Sequence, residues 1–230
     1  MRRRVTVPAR INIIGEHTDY AHGLALPFAI EPKLTLDVIF LKEGYIGDST
    51  VIELWKAAGG GPAKLSISSE IPIGKGMSSS AALCVAIVAC VTGDATSFET
   101  CMEAQRIEHE ILKTPCGLLD QMAMVFAKKN YACLIDFGTN TVEHIPIGDD
   151  WRFKLVDSGT HRKLSSSAYR ATSSVRDIHV IGENQRVEKA RFSGAAELGR
   201  LLNESHRSLQ KIGVSTSEVD SQVTELQKVP

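Results

Sequence analysis

Residues 72–82 have the sequence PIGKGMSSSAA and lead directly into a run of small, apolar residues that ends near residue 92. A strand-like segment, 65–69, comes before them, so the local order is strand, glycine-rich loop and buried helix. Glycines let a backbone approach an anion, and the N–H groups at a helix N-terminus face it. Serine hydroxyls can bind phosphate oxygens or a metal ion. The stretch therefore predicts a nucleotide-binding loop, although its composition also suits a loop that only caps a helix with serine.

This loop differs from the G-x-x-x-x-G-K-[ST] phosphate loop. Gly74 and Gly76 are separated by a single residue, and no Gly-Lys-Ser follows them. The surrounding sequence has to decide between the nucleotide-binding and the helix-capping interpretations.

Composition narrows the class of protein. The chain has 26 basic and 27 acidic residues and a net charge of −1, so no global field draws it to nucleic acid or to an anionic membrane. Its five cysteines include no CxxC pair, which argues against a disulfide framework and a zinc site. No stretch approaches the roughly 18 apolar residues of a membrane span. We expect a soluble, cytoplasmic protein, with the oligomeric state left open.

The chain alternates strand-like and helix-like segments. Strands are predicted over residues 3–7, 34–41, 65–69, 131–137 and 153–156. Helices are predicted over residues 79–92, 96–112, 175–190 and 195–211, and a further helix begins near 117. The change in composition near residues 145–150 predicts two domains, 1–147 and 148–230.

A second polar loop follows the first strand. Arg10, Glu16, His17 and Asp19 lie close together in sequence, with Gly15 beside them. Carboxylates and an imidazole on one loop suit the recognition of a sugar, whose hydroxyls both donate and accept hydrogen bonds. Each residue also has a structural alternative, because an acid can cap a helix and a histidine can be a satisfied core residue.

An acidic turn lies further along the chain. Glu108 precedes the segment PCGLLDQ, residues 115–121, in which Asp120 stands at the start of a predicted helix. Asp120 could act as a structural cap there or as a reactive carboxylate.

Together these segments resemble the galactokinases of the GHMP kinase superfamily. Residues 8–30, PARINIIGEHTDYAHGLALPFAI, are similar to the galactokinase signature, 71–82 to the ATP loop of the superfamily, and 115–121 to the segment with its catalytic aspartate. Residues 157–169, DSGTHRKLSSSAY, and 201–209, LLNESHRSL, resemble further galactokinase segments. Galacturonokinase-type sugar-1-kinases share the same loops.

The resemblance implies an α+β protein with the two-domain GHMP kinase fold. Its N-terminal domain would be a ribosomal-protein-S5-like mixed α/β domain, and its C-terminal domain a ferredoxin-like α+β domain, incomplete in this chain. ATP and sugar would meet in the cleft between the two. The segment between Ile30 and Pro72 is shorter than in galactokinases, so part of the insert found there is expected to be missing.

The resemblance also assigns roles to individual residues. Catalysis would belong to Asp120 and Arg10, on either side of the attacked hydroxyl. Contacts with the sugar are implied for Glu16, His17, Asp19, Gly117 and Tyr169. Contacts with the ATP phosphates are implied for Gly74, Gly76, Ser78, Ser79 and Ser80. Ser80 and Glu108 match the positions that reach Mg²⁺ in the superfamily.

The implied activity is transfer of the γ-phosphoryl group of ATP to the anomeric hydroxyl of galactose, or of a related sugar such as galacturonic acid or arabinose. A non-catalytic sensor of sugar and ATP is the main alternative, because some galactokinase relatives are regulators. A kinase of a non-sugar alcohol, such as mevalonate or homoserine, is disfavoured because those branches lack the GEHTDY loop. No nucleic-acid or membrane partner is expected.

Overall fold

A four-stranded sheet forms the first half of the fold in the computed structural model, which describes residues 1–159 and 173–228. Strand β1 (Arg2–Asn12) runs antiparallel to β3 (Pro27–Phe40), which pairs with β5 (Ala63–Ser69), and the short β4 (Tyr45–Ile46) closes the edge. The register of β1 against β3 shifts between Pro8 and Ala9. Proline has no backbone N–H to donate, so a bulge at this point is physically expected. Arg10 lies just beyond the bulge.

Helices pack on this sheet and build the first core. These are α1 (Ser49–Ala57), α2 (Ser79–Thr92) and α3 (Phe98–Ile107). Most of α2 is buried, which explains why it is apolar on every side, and Gly93 ends it with φ 82°. The core cluster contains side chains from β1, β3, β5, α1, α2 and α3.

A three-stranded sheet and two helices build the second half of the fold. Strand β2 (Leu24–Ala25) pairs with β6 (Tyr131–Asp136), which pairs with β7 (Thr141–Pro146), while α4 (Leu119–Val125) packs between the sheets. Helices α5 (Ser173–Ala190) and α6 (Ala195–Lys211) follow, and α7 (Ser217–Leu226) is the last described element.

Helices α5 and α6 share a core with this second sheet. Val187 and Ala190 of α5 and Leu201 of α6 lie in one buried cluster with Leu134 and Trp151. The cluster therefore crosses the predicted boundary between 147 and 148, and the division into domains 1–147 and 148–230 stays a prediction. Within the described residues, the part after 147 contains helices and no strand.

Two sequence predictions of secondary structure are wrong. Residues 153–156 form no strand; Phe153, Leu155 and Val156 are more than a third exposed, and no described strand pairs with them. The predicted helix 96–112 is α-helical only to Ile107 and continues as a π-helical segment, Glu108–Leu112. Residues 153–156 have strand propensity, but they have no neighbouring strand to pair with among the described residues. The periodicity of 96–112 does not distinguish a π-helical end from an α-helical one.

Two of the compositional predictions can be compared with the structure. All five cysteines are free thiols. Among the described residues, no helix has both the length and the apolar character needed to cross a membrane.

Candidate active site

The loop before α2 has an unusual backbone. Gly74, Gly76 and Ser78 all lie in the left-handed region, with φ values of 74°, 73° and 56°. Glycine adopts this conformation readily, whereas a serine there is strained. The left-handed backbone of Ser78 directs the loop into the N-terminus of α2. Non-glycine residues in this conformation cluster at functional sites.

The Ser78 side chain does not cap α2. It makes no capping hydrogen bond with the helix. Instead its hydroxyl accepts from Arg10 Nη2 and donates to Asp120 Oδ2. The helix-capping explanation of this serine therefore fails in the structure, and the hydroxyl joins two residues that the sequence had placed in separate motifs.

Arg10 connects the loop to Asp120. Its Nε donates to Asp120 Oδ1 at 2.6 Å, and its Nη1 donates to the Gly76 carbonyl at 2.8 Å. Both side chains of this ion pair are mostly buried, at 15% exposure for Arg10 and 22% for Asp120. Partial burial strengthens such a pair relative to one at the surface. The structure thus brings Arg10, Asp120 and the glycine-rich loop into one contact.

The polar loop 15–23 folds around Thr18. The Thr18 side chain is fully buried, and its hydroxyl lies 2.8 Å from the Gly15 carbonyl and 2.9 Å from the Leu24 carbonyl. Gly15 has φ 100°, and a Cβ there would lie 2.4 Å from the Cα of Ala25, so only glycine fits. His17 is also held at a positive φ, 61°. This closed turn presents Glu16 and His17 at its surface.

Asp19 reaches from this loop to the helix that bears Asp120. Its carboxylate accepts a hydrogen bond from the backbone N–H of Leu119, at the start of α4. A Cβ on Gly117 would lie 1.7 Å from Asp19 Oδ2, so the close approach depends on this glycine. Burial, and next the negative charge of Asp120, raise the pKa of Asp19. Asp19, Gly117 and Asp120 therefore line one site.

Glu108 is a buried carboxylate beside the serine run. It is 2% exposed, it lies where α3 passes into the π-helical segment, and Gln121 Nε2 donates to its Oε2 at 2.9 Å. The Ser80 hydroxyl also donates to it. Burial is the main cause of a raised pKa of Glu108, and the negative charge of Asp120 raises that pKa further. A π-helical turn of this kind is frequent at functional sites.

These residues fit a magnesium ion. Glu108 and Ser80 offer oxygen donors, and a cation would offset the cost of the buried charge. Gln121 Oε1 is buried and has no hydrogen-bond partner, which leaves a further oxygen acceptor beside them. No cluster of three or more metal-binding acidic, histidine or cysteine side chains occurs among the described residues. Mg²⁺ is commonly held by one or two carboxylates together with substrate phosphates, so a small donor set suits it.

Tyr169, which the resemblance assigned to the sugar, lies outside the described residues.

Two side chains at the site were not predicted from the sequence. Gln121 contacts Glu108, and Asn12 Nδ2 donates to Glu16 Oε1 at 3.1 Å. Both stand inside the quoted motifs, at 115–121 and 8–30, so the motifs themselves were the available signal.

Family models match two parts of the chain. The galactokinase galactose-binding signature matches residues 3–37, and the N-terminal domain of GHMP kinases matches residues 45–128. These two ranges contain every described residue of the site given above.

A galactokinase of Thermotoga maritima is 34% identical to this chain over 94% of the chain and 80% of the relative. The chain belongs to the galactokinase family. It is thus a phosphotransferase with an alcohol group as acceptor. A galactokinase of Thermococcus kodakarensis is 27% identical over 94% of this chain and 70% of that protein. The first alignment is 283 positions long, although this galactokinase-family chain has 230 residues, so the relative contains internal segments that the chain lacks.

Solved structures agree on the fold. The galactokinase of Lactococcus lactis, solved with galactose, superposes with a TM-score of 0.80 at 22% identity and covers all of this chain and 80% of its own. The mevalonate kinase of Methanococcus jannaschii superposes with a TM-score of 0.64 at 16% identity over 96% of this chain and 82% of its own. The galactokinase-family chain therefore has the GHMP kinase fold, as the sequence motifs implied.

Proposed function

We propose that this chain transfers the γ-phosphoryl group of ATP to the anomeric hydroxyl of galactose, giving galactose 1-phosphate and ADP. The observation that carries the proposal is the contact of Arg10 with both Asp120 and the Gly76 carbonyl. It joins the loop suited to phosphates to Asp120, the carboxylate that lies beside Asp19 of the polar loop. A residue at that junction can act on both substrates of a phosphoryl transfer.

The phosphates of ATP would bind at the glycine-rich loop. Gly74 and Gly76 supply a backbone that an anion can approach, and Ser79 begins α2, whose N-terminal N–H groups favour negative charge. Ser80 and Glu108 would hold Mg²⁺, which when bound neutralises charge on the phosphate oxygens. ATP is therefore the expected phosphoryl donor.

The sugar would bind against the polar loop. Glu16, His17 and Asp19 offer acceptors and an imidazole for its hydroxyls, and Gly117 leaves room for the Asp19 carboxylate. We expect Tyr169 to help line the sugar pocket, as the family resemblance implies. Asp120 stands in the first turn of α4, so the hydroxyl to be phosphorylated would lie between the polar loop and the glycine-rich loop.

The reaction needs positioning and charge stabilisation more than covalent help. An oxygen–phosphorus bond forms at the anomeric oxygen while the bond between the γ-phosphorus and the bridging oxygen of ADP breaks. Asp120 would orient the hydroxyl and accept its proton. Arg10 would hold the Asp120 carboxylate by its Nε and meet charge that develops on the transferred group.

Electrostatics favour a neutral sugar over a sugar acid. The polar loop and α4 together contribute Glu16, Asp19 and Asp120, whereas the nearby Arg10 is paired with Asp120. Lys75, which could have met a second carboxylate, is 2.5 Å from Asp157 Oδ2. A galacturonic acid carboxylate would face this negative set without a described cation to receive it. Galactose is therefore the preferred substrate in our proposal, and arabinose remains a related candidate for testing.

The test is a coupled assay of ADP release with Mg²⁺ against galactose, galacturonic acid, arabinose, glucose and N-acetylgalactosamine. We expect turnover with galactose and its loss, by at least ~1,000-fold, in Asp120→Asn. Turnover with galacturonic acid and with no other sugar would refute galactose as the substrate. Absence of turnover, with ATP and galactose both bound by calorimetry, would instead favour the sensor.

A further inference from the structure

We propose that helices α5 and α6 position the sugar-binding loop, residues 15–24, through hydrogen bonds between polar side chains and the backbone of the loop. The proposal rests on the function proposed above only in taking a sugar as the ligand of that loop. It concerns residues that lie more than 150 positions away in sequence and that touch no reacting atom, so we treat them as positioning residues.

Glu183 of α5 holds the start of the loop. Its side chain is fully buried, and its Oε1 accepts from the Gly15 backbone N–H at 3.0 Å and from the Ser205 hydroxyl of α6 at 2.6 Å. Its Oε2 accepts from Arg186 Nε at 2.8 Å. A buried carboxylate is costly unless it is paired and hydrogen-bonded, and here both oxygens are engaged. One of these bonds is made to the loop itself.

His179 holds the next peptide group. It lies four residues before Glu183, on the same face of α5, and is 2% exposed. Its Nε2 is 2.9 Å from the Glu16 carbonyl and its Nδ1 is 2.8 Å from the Ser208 hydroxyl. A carbonyl only accepts, so Nε2 must carry a proton and donate it. The imidazole thus bridges α6 to the backbone of a residue assigned to the sugar.

Asn184 holds the end of the loop. Its Oδ1 accepts from the Leu24 backbone N–H at 2.8 Å. The side chain packs so closely that a Cβ on Gly23 would lie 2.8 Å from Oδ1 and 2.7 Å from Thr18 Cβ. The loop is therefore fixed at both ends from α5, and the small residue at 23 is a requirement of that contact.

The three contacts define what the helices do for binding. The Gly15 N–H precedes the Cα of Glu16, and the Glu16 carbonyl lies between Glu16 and His17. Hydrogen bonds to these two groups therefore set where the Glu16 and His17 side chains point. The serines that support Glu183 and His179, Ser205 and Ser208, lie in LLNESHRSL, the motif at 201–209. Placement of polar side chains within about 0.5 Å needs such secondary support.

The experiment compares His179→Leu, which removes the donor to Glu16, with His179→Gln, which can restore it, and with Glu183→Leu, which removes the acceptor for the Gly15 N–H. Val51→Ala in α1 is the control, because Val51 is buried in the other core cluster, away from the loop. We expect His179→Leu and Glu183→Leu to raise the KM for galactose about tenfold while the KM for ATP stays within twofold. His179→Gln should recover most of that loss, and Val51→Ala should lower Tm without changing either KM.

Hydrogen exchange gives a second readout that needs no turnover. In the unliganded wild type the backbone N–H groups of Gly15 and Leu24 should be protected. Glu183→Leu should preferentially release the Gly15 amide, and Asn184→Ala the Leu24 amide. Unchanged protection in these variants, or a parallel rise in both KM values, would overturn the proposal. If the wild type shows no turnover but the exchange pattern holds, the proposed function fails while the positioning role stands.

Discussion

Substitution of Ser78 separates two possible roles of one hydroxyl. The side chain bridges Arg10 and Asp120 and makes no capping bond, and its backbone has φ 56° and ψ 50°. We consider Ser78→Ala and Ser78→Gly. Both remove the hydroxyl, but only glycine also relieves the left-handed strain.

The expected magnitudes follow from those contacts. A hydrogen bond to a charged group contributes about 1.5–3 kcal/mol, and the direct Arg10–Asp120 contact survives, so kcat should fall about 10- to 100-fold in both variants. The left-handed conformation costs a residue with a Cβ about 1 kcal/mol more than it costs glycine. Ser78→Gly should therefore be about 1 kcal/mol more stable than Ser78→Ala at equal loss of kcat.

The assay combines steady-state kinetics with urea unfolding. Ser97→Ala is the matched control, because Ser97 caps α3 by accepting from the Thr100 N–H at 3.2 Å. That change should cost about 1 kcal/mol of stability and leave kcat alone. A kcat of Ser78→Gly within twofold of wild type would show that the Ser78 hydroxyl is not needed to hold Arg10 and Asp120. A rise in the KM for ATP at constant kcat would assign the hydroxyl to the phosphates instead.

Two further predictions concern the neighbouring carboxylates. The new Cβ of Gly117→Ala would lie 1.7 Å from Asp19 Oδ2 and should displace that carboxylate. The KM for galactose should then rise more than tenfold while the KM for ATP is unchanged. Unaltered galactose binding by calorimetry would contradict this prediction. Glu108 has a raised pKa in the folded state, so without Mg²⁺ its contribution to stability is lost as pH rises above about 4.5. Glu108→Gln should thus gain Tm over wild type at pH 7 but not at pH 4 in EDTA, and need about tenfold more Mg²⁺ for half-maximal activity; an equal Tm difference at both pH values would argue against a buried charge.

Local signals were enough to predict several elements. Helix α2 was recognisable because small apolar residues run without interruption from Ser79 to a glycine at 93. The strands at 65–69 and 131–137 were found because β-branched and apolar residues lie between turn residues. The three motifs named the residues that the structure gathers, including Arg10 with Asp120 and Asp19 with Gly117.

Features that depend on distant contacts were beyond the sequence. The orientation of Ser78 follows from a positive φ that the loop imposes, and composition cannot show which partner its hydroxyl meets. The grip of His179 and Glu183 on the loop joins segments far apart in the chain. The π-helical segment at Glu108–Leu112 has the same amphipathic pattern as an α-helix, so its different winding gave no signal.

In the function proposed above, Arg10 and Asp120 direct the γ-phosphoryl group to the anomeric oxygen. The most direct measurement is ³¹P NMR of the product formed from galactose, ATP and Mg²⁺ by the wild-type chain and by Asp120→Asn. We expect a sugar monophosphate whose phosphorus couples to the anomeric proton, formed only by the wild type. A phosphate coupled to the C6 protons, or the same product formed at an undiminished rate by Asp120→Asn, would contradict it.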